Sequence, residues 1–216
     1  MSPTTLDISF KDCAIESRSP RAKRAIDLMV AIPAAVLLSP LFIVTAVWIK
    51  LDSRGPVFFL QERVGQFGRL FRIFKFRTMA VDAEKRGPLI TVGADYRITR
   101  SGRLLRKYKL DELPQLFNVI KGEMSLVGPR PEVPRYVELY TEDQRGILAL
   151  KPGITSPASI AFSGESEILA TQADPENFYR TQLMPAKIHE DLSYAKRATI
   201  FSDCAMIAKT FFRIFG

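Results

Sequence analysis

The feature that most constrains this chain is an uninterrupted apolar stretch close to its N-terminus. It runs from Leu28 to Ile49, 22 consecutive residues without a charged side chain. As an α-helix it would be about 33 Å long, close to the roughly 30 Å hydrocarbon thickness of a bilayer. The stretch therefore predicts a membrane helix, with a buried core helix of a water-soluble domain as the alternative.

Ser39 and Pro40 in the middle of this stretch predict a break in the helix. Proline has no backbone N–H and its ring clashes with the preceding turn, so it bends a helix. In lipid the carbonyl that loses its partner needs another donor, and the Ser39 hydroxyl is the nearest candidate.

Basic residues flank the apolar stretch on both sides. They are Arg18, Arg21, Lys23 and Arg24 before it and Lys50 and Arg54 after it. Because basic residues accumulate on the cytoplasmic side of a membrane helix, both ends look cytoplasmic. This favours a re-entrant helix over residues 25–50 that enters and leaves by the same face, with a straight transmembrane span as the competing interpretation.

The positive charge of the chain is concentrated after the apolar stretch. The net charge is +8, and residues 50–130 carry 17 Lys and Arg against 8 Asp and Glu. Such an excess suits polyanionic partners: a phospholipid surface, a lipid phosphate, a nucleotide diphosphate or a nucleic acid. Charge alone does not choose among them.

A β-hairpin is predicted in this basic segment. Val57–Gln61 and Arg69–Arg77 alternate as strands do, and a glycine-rich turn separates them. Lys75 and Arg77 share one face of the second strand by the period of two. They form either part of a binding site or a pair of solvated edge-strand cations.

An acidic pair follows a basic amphipathic helix. The helix is predicted over Thr99–Lys109 and includes Arg106 on its basic face. The next helix is expected to run from Asp111 to about Ile120, which puts Asp111 and Glu112 at its positive end. The alternative is that they are only an N-cap and a first-turn acid.

Two further segments stand out beyond residue 120. Pro129 and Pro131 flank Arg130, and two prolines hold that side chain in a narrow range suited to bidentate phosphate binding. The alternative is a structural loop with a solvated arginine. The last run, Ile200–Phe215, is amphipathic and is expected to lie in a membrane interface, with a core helix as the alternative.

These segments together resemble a known family. The motifs are the kinked membrane segment, Lys75-Phe76-Arg77-Thr78-Met79, Arg106 with Leu110-Asp111-Glu112-Leu113-Pro114-Gln115, and Gly128-Pro129-Arg130-Pro131. In this order and spacing the chain resembles bacterial sugar transferases of the monotopic phosphoglycosyl transferase family, over roughly Lys23 to Thr210. The resemblance implies transfer of a phospho-sugar from a UDP-sugar to polyprenyl (undecaprenyl) phosphate, with release of UMP, as the first step of exopolysaccharide or other glycan assembly.

The resemblance also implies roles for individual residues. Asp111 matches the family's nucleophile, which forms a covalent aspartyl-phosphosugar intermediate, and nearby cations are expected to favour its ionised form. Asp111 and Glu112 are the implied ligands of Mg²⁺. The implied phosphate-binding residues are Lys75, Arg77, Arg106 and Arg130, and Ser39 with Pro40 matches the membrane break.

The implied fold is α+β and mostly helical. A re-entrant membrane helix, a small β-hairpin and amphipathic interfacial helices surround a catalytic domain on the cytoplasmic face. The corresponding division is 1–24 for a basic interfacial segment, 25–50 for the membrane helix and 51–216 for the catalytic domain. The implied location is the bacterial inner (cytoplasmic) membrane, with membrane lipids as partners, no nucleic acid, and an open oligomeric state that includes a homodimer.

Three other functions compete with this one. A membrane-tethered nucleic-acid-binding protein fits the charge but lacks a helix-turn-helix or RNA-binding signature. A non-catalytic scaffold for glycan assembly is the second, and a conventional nucleotide-sugar glycosyltransferase, for which no Asp-x-Asp motif follows a strand, is the third.

One segment departs from the family pattern. Many relatives carry Pro-Gly-Ile-Thr-Gly followed by Ala-Gln, whereas residues 152–159 here read Pro-Gly-Ile-Thr-Ser-Pro-Ala-Ser. Since this segment is a candidate for nucleotide or sugar contacts, the sequence does not assign the sugar.

Overall fold

The computed structural model describes residues 20–83, 90–93 and 95–215, so most of the predicted basic segment 1–24 lies outside the described residues. The helices are α1 Pro20–Leu37, α2 Ser39–Asp52, α3 Arg100–Lys107, α4 Gln115–Lys121, α5 Pro134–Val137, α6 Glu142–Arg145, α7 Pro157–Ala161, α8 Glu165–Ala170, α9 Pro175–Phe178, α10 Met184–Ala195 and α11 Ile200–Phe215. The strands are β1 Phe58–Val64, β2 Leu70–Phe76, β3 Ser125–Val127 and β4 Gly153–Thr155. The protein is therefore mixed and mostly helical with small sheets, as the sequence predicts.

The apolar stretch forms two helices rather than one. α1 ends at Leu37, α2 begins at Ser39, and the two axes are bent by 57°. The Ser39 hydroxyl donates a 2.7 Å hydrogen bond to the Val36 carbonyl, the group that a residue with an N–H at position 40 would have bonded. The predicted break and its hydroxyl partner are both confirmed.

By length and hydropathy, this bent pair is the part of the described structure that could cross a membrane. Among the described residues, each helix taken singly is too short or too polar to cross a bilayer, whereas Arg21–Leu37 and Ser39–Asp52 meet the length and hydropathy requirement jointly.

The two helices pack one side against the domain and expose the other. Ala31, Phe42 and Ile49 are buried in the core. The large exposed apolar side chains are Met29, Val30, Ile32, Val36 and Leu37 of α1 and Ile43, Val44, Val47, Trp48 and Leu51 of α2. An exposed apolar surface of this kind is unusual for a soluble monomer and is typical of contact with a membrane or a partner.

Two charged residues of α1 anchor it to the rest of the molecule. The Arg24 guanidinium donates to the Val119 and Ile120 carbonyls in the last turn of α4, where backbone carbonyls lack their full set of helical partners. The Asp27 carboxylate accepts hydrogen bonds from the Ser125 hydroxyl and the Leu126 N–H of β3. The apolar pair is thus attached to the domain by polar contacts near its N-terminal end.

The predicted hairpin is present, with a first strand that extends further than expected. β1 and β2 pair antiparallel from Phe58 opposite Phe76 to Val64 opposite Leu70. The intervening turn has Phe67 at φ 56°, a left-handed conformation. Asn118 ties β2 to α4, since its side chain accepts from the Phe74 N–H and donates to the Arg72 carbonyl.

A second small sheet joins two segments for which no strand is predicted from the sequence. β3 and β4 run parallel, with Ser125 opposite Gly153 and Val127 opposite Thr155. The backbones approach closely just beyond, because an added Cβ at Gly128 would lie 2.3 Å from the Lys151 carbonyl oxygen. This sheet sets the start of the loop that carries Arg130.

The acidic pair lies before α4 rather than inside its first turn. Lys109 has a left-handed φ of 53°, the 3-10 turn Leu110–Glu112 follows, and α4 begins only at Gln115, after Pro114. The prediction of one helix from Asp111 is therefore wrong at its start. Its end is confirmed, since Gly122 closes α4 at φ 89°.

The last helix packs one side in the core and exposes the other. Met206 of α11 is buried in the same core as α1, α2 and α4, and the Thr210 and Thr155 hydroxyls are 2.6 Å apart. Phe201 and Phe212, in contrast, are strongly exposed. One side of α11 is thus a core helix and the other presents aromatic surface.

Candidate active site

Glu112 is at the centre of a cluster of charges drawn from three parts of the chain. Lys75 Nζ of β2 lies 3.1 Å from Glu112 Oε1, and Arg130 Nη1 lies 2.9 Å from Glu112 Oε2. Arg130 Nη2 also donates to Oε1, so the guanidinium holds the carboxylate with two parallel hydrogen bonds. Although burial alone would raise it, the positive charges of Arg130 and Lys75 hold the pKa of Glu112 well below its ordinary value.

The pKa of Asp111, the neighbouring acid, is shifted in the opposite direction. It is buried, and its Oδ1 has no hydrogen-bond partner in the described part of the chain. Burial, together with the negative charge of Glu112, raises the pKa of Asp111 to about 6. The expectation that surrounding cations favour ionisation is only partly met: Lys75 and Arg106 act in that direction, but burial outweighs them.

Burial lowers the pKa of both cations that hold Glu112, but the attraction of Glu112 outweighs burial only at Arg130. Burial lowers the pKa of Lys75 to about 8, although Glu112 opposes the shift. The pKa of Arg130 is raised by Glu112, so its charge is fixed at every relevant pH. The cluster therefore contains one permanent cation, one cation that can lose its proton, and one carboxylate with an unpaired oxygen.

Arg106 borders the cluster without bonding to either acid. Its Nε donates to the Thr78 hydroxyl at 2.9 Å and its Nη1 to the Thr91 hydroxyl at 3.2 Å. Its charge is nevertheless felt at Asp111, where it favours the ionised form. The two threonines fix a guanidinium whose charge no described carboxylate pairs with directly.

Arg77 is brought to a different place from Lys75. It follows the end of β2, and its Nη2 donates to the Ser53 carbonyl at 2.7 Å and to the Ser53 hydroxyl at 2.9 Å. The prediction that the two side chains share a face therefore does not lead to a shared contact. Arg77 holds the C-terminal end of α2, where free carbonyls attract a cation.

Arg63 and Glu132 support the loop around Arg130, and the sequence gives no signal for either. Arg63 Nη1 donates to the Pro131 carbonyl and to Glu132 Oε1, both at 3.1 Å. The Val64 N–H donates to the Glu132 carbonyl at 2.9 Å. These bonds attach β1 to the segment that follows Arg130. They therefore limit where the Arg130 guanidinium can lie.

The site offers two carboxylates to a metal ion. Within residues 20–83, 90–93 and 95–215 no three acidic, histidine or cysteine side chains come together. Mg²⁺ is commonly held by one or two carboxylates together with substrate phosphates. Of the two, Asp111 fits that pattern through its unpaired Oδ1, whereas both oxygens of Glu112 already accept hydrogen bonds from Lys75 and Arg130. The remaining ligands would be left to a phosphate substrate.

Two adjacent carboxylates and the cations around them thus lie together in a chain whose apolar helix pair is bent and partly exposed. The family description "Bacterial sugar transferase" matches residues 18–216. The chain belongs to the bacterial sugar transferase family.

Individual relatives are similar over most of this chain. A UDP-N-acetylgalactosamine-undecaprenyl-phosphate N-acetylgalactosaminephosphotransferase of Aeromonas hydrophila is 40% identical over 191 residues, 87% of this chain and 42% of that protein. A UDP-glucose:undecaprenyl-phosphate glucose-1-phosphate transferase of Xanthomonas campestris pv. campestris is 39% identical over 201 residues, 90% of this chain and 39% of that protein. A putative undecaprenyl-phosphate N-acetylgalactosaminyl 1-phosphate transferase of Bacillus subtilis (strain 168) is 42% identical over 124 residues, 57% of this chain and 69% of that protein. The chain thus spans about two fifths of the length of the first two relatives.

Proposed function

We propose that the protein transfers a phospho-sugar from a UDP-sugar to polyprenyl (undecaprenyl) phosphate and releases UMP. The observation that carries the proposal is Asp111, a buried acid with an unpaired oxygen next to Glu112, whose own charge is already balanced by Lys75 and Arg130. A carboxylate kept free among cations is suited to attack on a phosphate, because the cations offset the repulsion between like charges. The names of the relatives support the acceptor and the nucleotide-sugar donor.

In the first step an Asp111 oxygen attacks the β-phosphorus of the UDP-sugar. A bond forms between that oxygen and phosphorus, and the bond from phosphorus to the oxygen bridging the two phosphates breaks. The bridging oxygen leaves with UMP, and its negative charge develops beside fixed cations. Arg130 and Arg106 are positioned to stabilise it, since neither is free to move away from its hydrogen-bond partners.

In the second step a phosphate oxygen of the polyprenyl phosphate attacks the same phosphorus. A new bond joins the two phosphates, and the bond between phosphorus and the Asp111 oxygen breaks. The carboxylate is thereby regenerated, and the product is a polyprenyl diphosphate sugar. An acyl phosphate on Asp111 is a mixed anhydride, which is reactive enough to pass on its phosphoryl group.

Mg²⁺ would be held by Asp111, with Glu112 beside it, and would neutralise phosphate charge when bound. The chain's own residues supply the rest of the electrostatics: Lys75 and Arg130 balance Glu112, which leaves Asp111 as the carboxylate with an open position.

The decisive experiment replaces Asp111 by Asn. With a UDP-sugar, polyprenyl phosphate and Mg²⁺, we expect UMP release to fall by roughly 10⁴-fold or more, because the nucleophile is lost. With donor labelled at the β-phosphate and no acceptor, the wild type should retain label on the protein and the variant should not.

The matched control is Asp143→Asn, which makes the same chemical change at an exposed acid of α6. It should retain full activity and labelling. Label retained by Asp111→Asn would rule out the aspartyl intermediate. A wild type that releases no UMP with any donor would favour the scaffold or nucleic-acid alternatives.

We also propose that α1 and α2 form a re-entrant membrane helix in the bacterial inner membrane, with the catalytic domain on the cytoplasmic face. The bend of 57° and the exposed apolar side chains of both helices support it. Arg21 lies in the first turn of α1 and Arg54 lies just beyond the end of α2. Basic residues at both ends of the pair favour the cytoplasmic side.

Cysteine labelling in cells tests this topology. In a background without Cys13 and Cys204, Arg21→Cys and Arg54→Cys are each compared with Glu142→Cys, an exposed position of α6. We expect an impermeant thiol reagent to label all three only after the cytoplasmic face is opened. Labelling of the residue 21 variant in intact cells would show a transmembrane span instead.

A further inference from the structure

Three buried polar side chains form a row along α4 and the turn before it. Asp111, Gln115 and Asn118 are 8%, 1% and 0% exposed. The backbone between them is right-handed throughout, because the 3-10 turn Leu110–Glu112 leads directly into α4. Residues three or four apart on such a backbone lie on one side, with their Cβ atoms about 5–6 Å apart. Gln115 is therefore the neighbour of the proposed nucleophile in this row.

At one end of the row the hydrogen bonds of Asn118 are complete. Its side-chain oxygen accepts from the Phe74 N–H, and its side-chain nitrogen donates to the Arg72 carbonyl and to Glu123 Oε2. These bonds fix α4 against β2, the strand that carries Lys75. This end of the row is structural.

At the other end the hydrogen bonds are incomplete. Gln115 Nε2 and Asp111 Oδ1 are both buried, and neither has a hydrogen-bond partner among the residues that the structure describes. The first is a donor and the second an acceptor. Buried polar groups without a partner are rare and cost stability, so two of them side by side at the proposed active site indicate a ligand.

A phosphoryl group matches both of these unpaired groups. In the proposed reaction its phosphorus is attacked by Asp111, and its non-bridging oxygens accept hydrogen bonds. The transition state spreads negative charge over these oxygens, so a donor fixed beside them lowers the barrier. A bond from Asp111 to phosphorus would bring the oxygens towards the next side chain in the row, which is Gln115.

A neutral amide suits this position for an electrostatic reason. A cation beside Asp111 would pair with its carboxylate, as Lys75 and Arg130 pair with Glu112, and would compete with the substrate. The amide carries no net charge, so it leaves the nucleophile unpaired before the substrate binds. It can still donate to a phosphate oxygen once one is present.

We propose that Gln115 is a further catalytic residue, whose Nε2 donates a hydrogen bond to a non-bridging oxygen of the phosphorus that Asp111 attacks. The proposal rests on the proposed function. No proton is transferred by the amide, and the same hydrogen bond serves both steps, because the same phosphorus reacts in each.

Gln115→Met tests this role, since methionine is similar in length but has no donor. The amide nitrogen bonds to no described residue, so the thermal unfolding temperature should stay the same or rise. With a UDP-sugar, polyprenyl phosphate and Mg²⁺, we expect kcat for UMP release to fall by about 10²-fold, the effect of losing one transition-state donor. Labelling of the protein by donor labelled at the β-phosphate, without acceptor, should slow as well. UMP, which lacks the attacked phosphorus, should inhibit with an unchanged constant.

Gln66→Met is the matched control. It makes the same chemical change in the hairpin turn, at an amide whose Nε2 donates a 2.9 Å hydrogen bond to the Ala149 carbonyl. It should lower the unfolding temperature and leave turnover unchanged. A second variant, Gln115→Glu, keeps the shape of the side chain and replaces the donor by an acceptor, so its kcat should fall at least as far as that of Gln115→Met.

Wild-type kcat in either Gln115 variant would overturn the proposal. A fall in the unfolding temperature of Gln115→Met as large as that of Gln66→Met would make the residue structural and overturn it too. The same would follow from a weakening of UMP inhibition equal to the loss of turnover, which would place the amide at the nucleotide. A wild type that releases no UMP with any donor would instead overturn the proposed function and this inference with it.

Discussion

At the scale of single residues, Asp111 and Glu112 show how two adjacent acids acquire different properties. Glu112 is ionised because Arg130 and Lys75 bond to it directly. Asp111 has no such partner at Oδ1, so burial and the neighbouring charge raise its pKa to about 6. One carboxylate organises the cations and the other is left available for chemistry.

The pH dependence of kcat/KM follows from these pKa values. Asp111 has to be ionised to attack, so activity should rise with pH and reach half its plateau near pH 6. Lys75, whose pKa burial lowers to about 8, loses its positive charge above that pH, so activity should fall again. We expect a bell-shaped profile between the two values, measured as UMP release at subsaturating donor.

Lys75→Arg separates the two limbs of this profile. Arginine keeps its charge throughout the accessible range, so the alkaline limb should move above about pH 10 while the acid limb stays near pH 6. An alkaline limb that is unchanged in the variant would assign it to another group, and a plateau that persists below pH 5 would contradict the raised pKa of Asp111.

At the scale of elements, the short parallel sheet decides where Arg130 lies. β3 leads directly into the loop with Arg130, and the Gly128 N–H bonds the Thr155 carbonyl of β4. The prolines around Arg130 restrict its backbone, as the sequence predicts, but they do not determine the direction of its side chain. That direction depends on β4 and on Arg63, both distant in sequence.

Gly128→Ala tests the importance of this sheet. The new Cβ would lie 2.3 Å from the Lys151 carbonyl oxygen, so the strands must separate. We expect a loss of roughly 2 kcal/mol in the free energy of unfolding, within the range for overpacking, measured by urea denaturation. Turnover should fall as well, because the loop that carries Arg130 shifts.

Gly164→Ala is the matched control. An added Cβ there meets only the end of the Glu167 side chain, at 3.2 Å, and the residue has no positive φ. Its stability should change by no more than about 0.5 kcal/mol. Equal effects at the two glycines would contradict the role assigned to the sheet.

At the scale of the whole molecule, one side of the bent helix pair closes the core and the other is exposed. Ala31, Phe42 and Ile49 pack in the cluster that also contains Leu105 and Val119 of the site's own helices. The break therefore does more than bend an apolar segment. It lets both helices pack on the domain while each keeps an exposed apolar side.

Removing the break should change the topology of the whole protein. In Ser39→Ala/Pro40→Ala the Val36 carbonyl regains a backbone partner, and a continuous helix over residues 20–52 would be about 50 Å long. Such a helix is longer than the bilayer core, so we expect its N-terminal end to cross to the opposite face. Arg21→Cys in this background should then be labelled in intact cells.

Pro33→Ala is the control for this change, because Pro33 lies within α1 and causes no break there. It should leave residue 21 protected in intact cells. Protection of residue 21 in the double variant would show that packing against the domain, rather than the Ser39 and Pro40 pair, determines the topology.

The sequence by itself determined the features that depend on neighbours along the chain. The apolar run, its break at Ser39 and Pro40, the hairpin and the helix end at Gly122 all follow from local rules of length, periodicity and backbone geometry. The start of the helix after Asp111 does not follow from such local rules. A left-handed residue at Lys109 and a 3-10 turn over Leu110–Glu112 come first, and α4 begins only after Pro114.

Only the tertiary structure decided which charges meet. Lys75 and Arg130 are 37 and 18 residues from Glu112, whereas Arg77, two residues from Lys75, bonds Ser53 instead. Residue types state which groups can ionise, but burial and distance set the pKa of each one, and both depend on segments remote in sequence. The unpaired oxygen of Asp111 exists for the same reason.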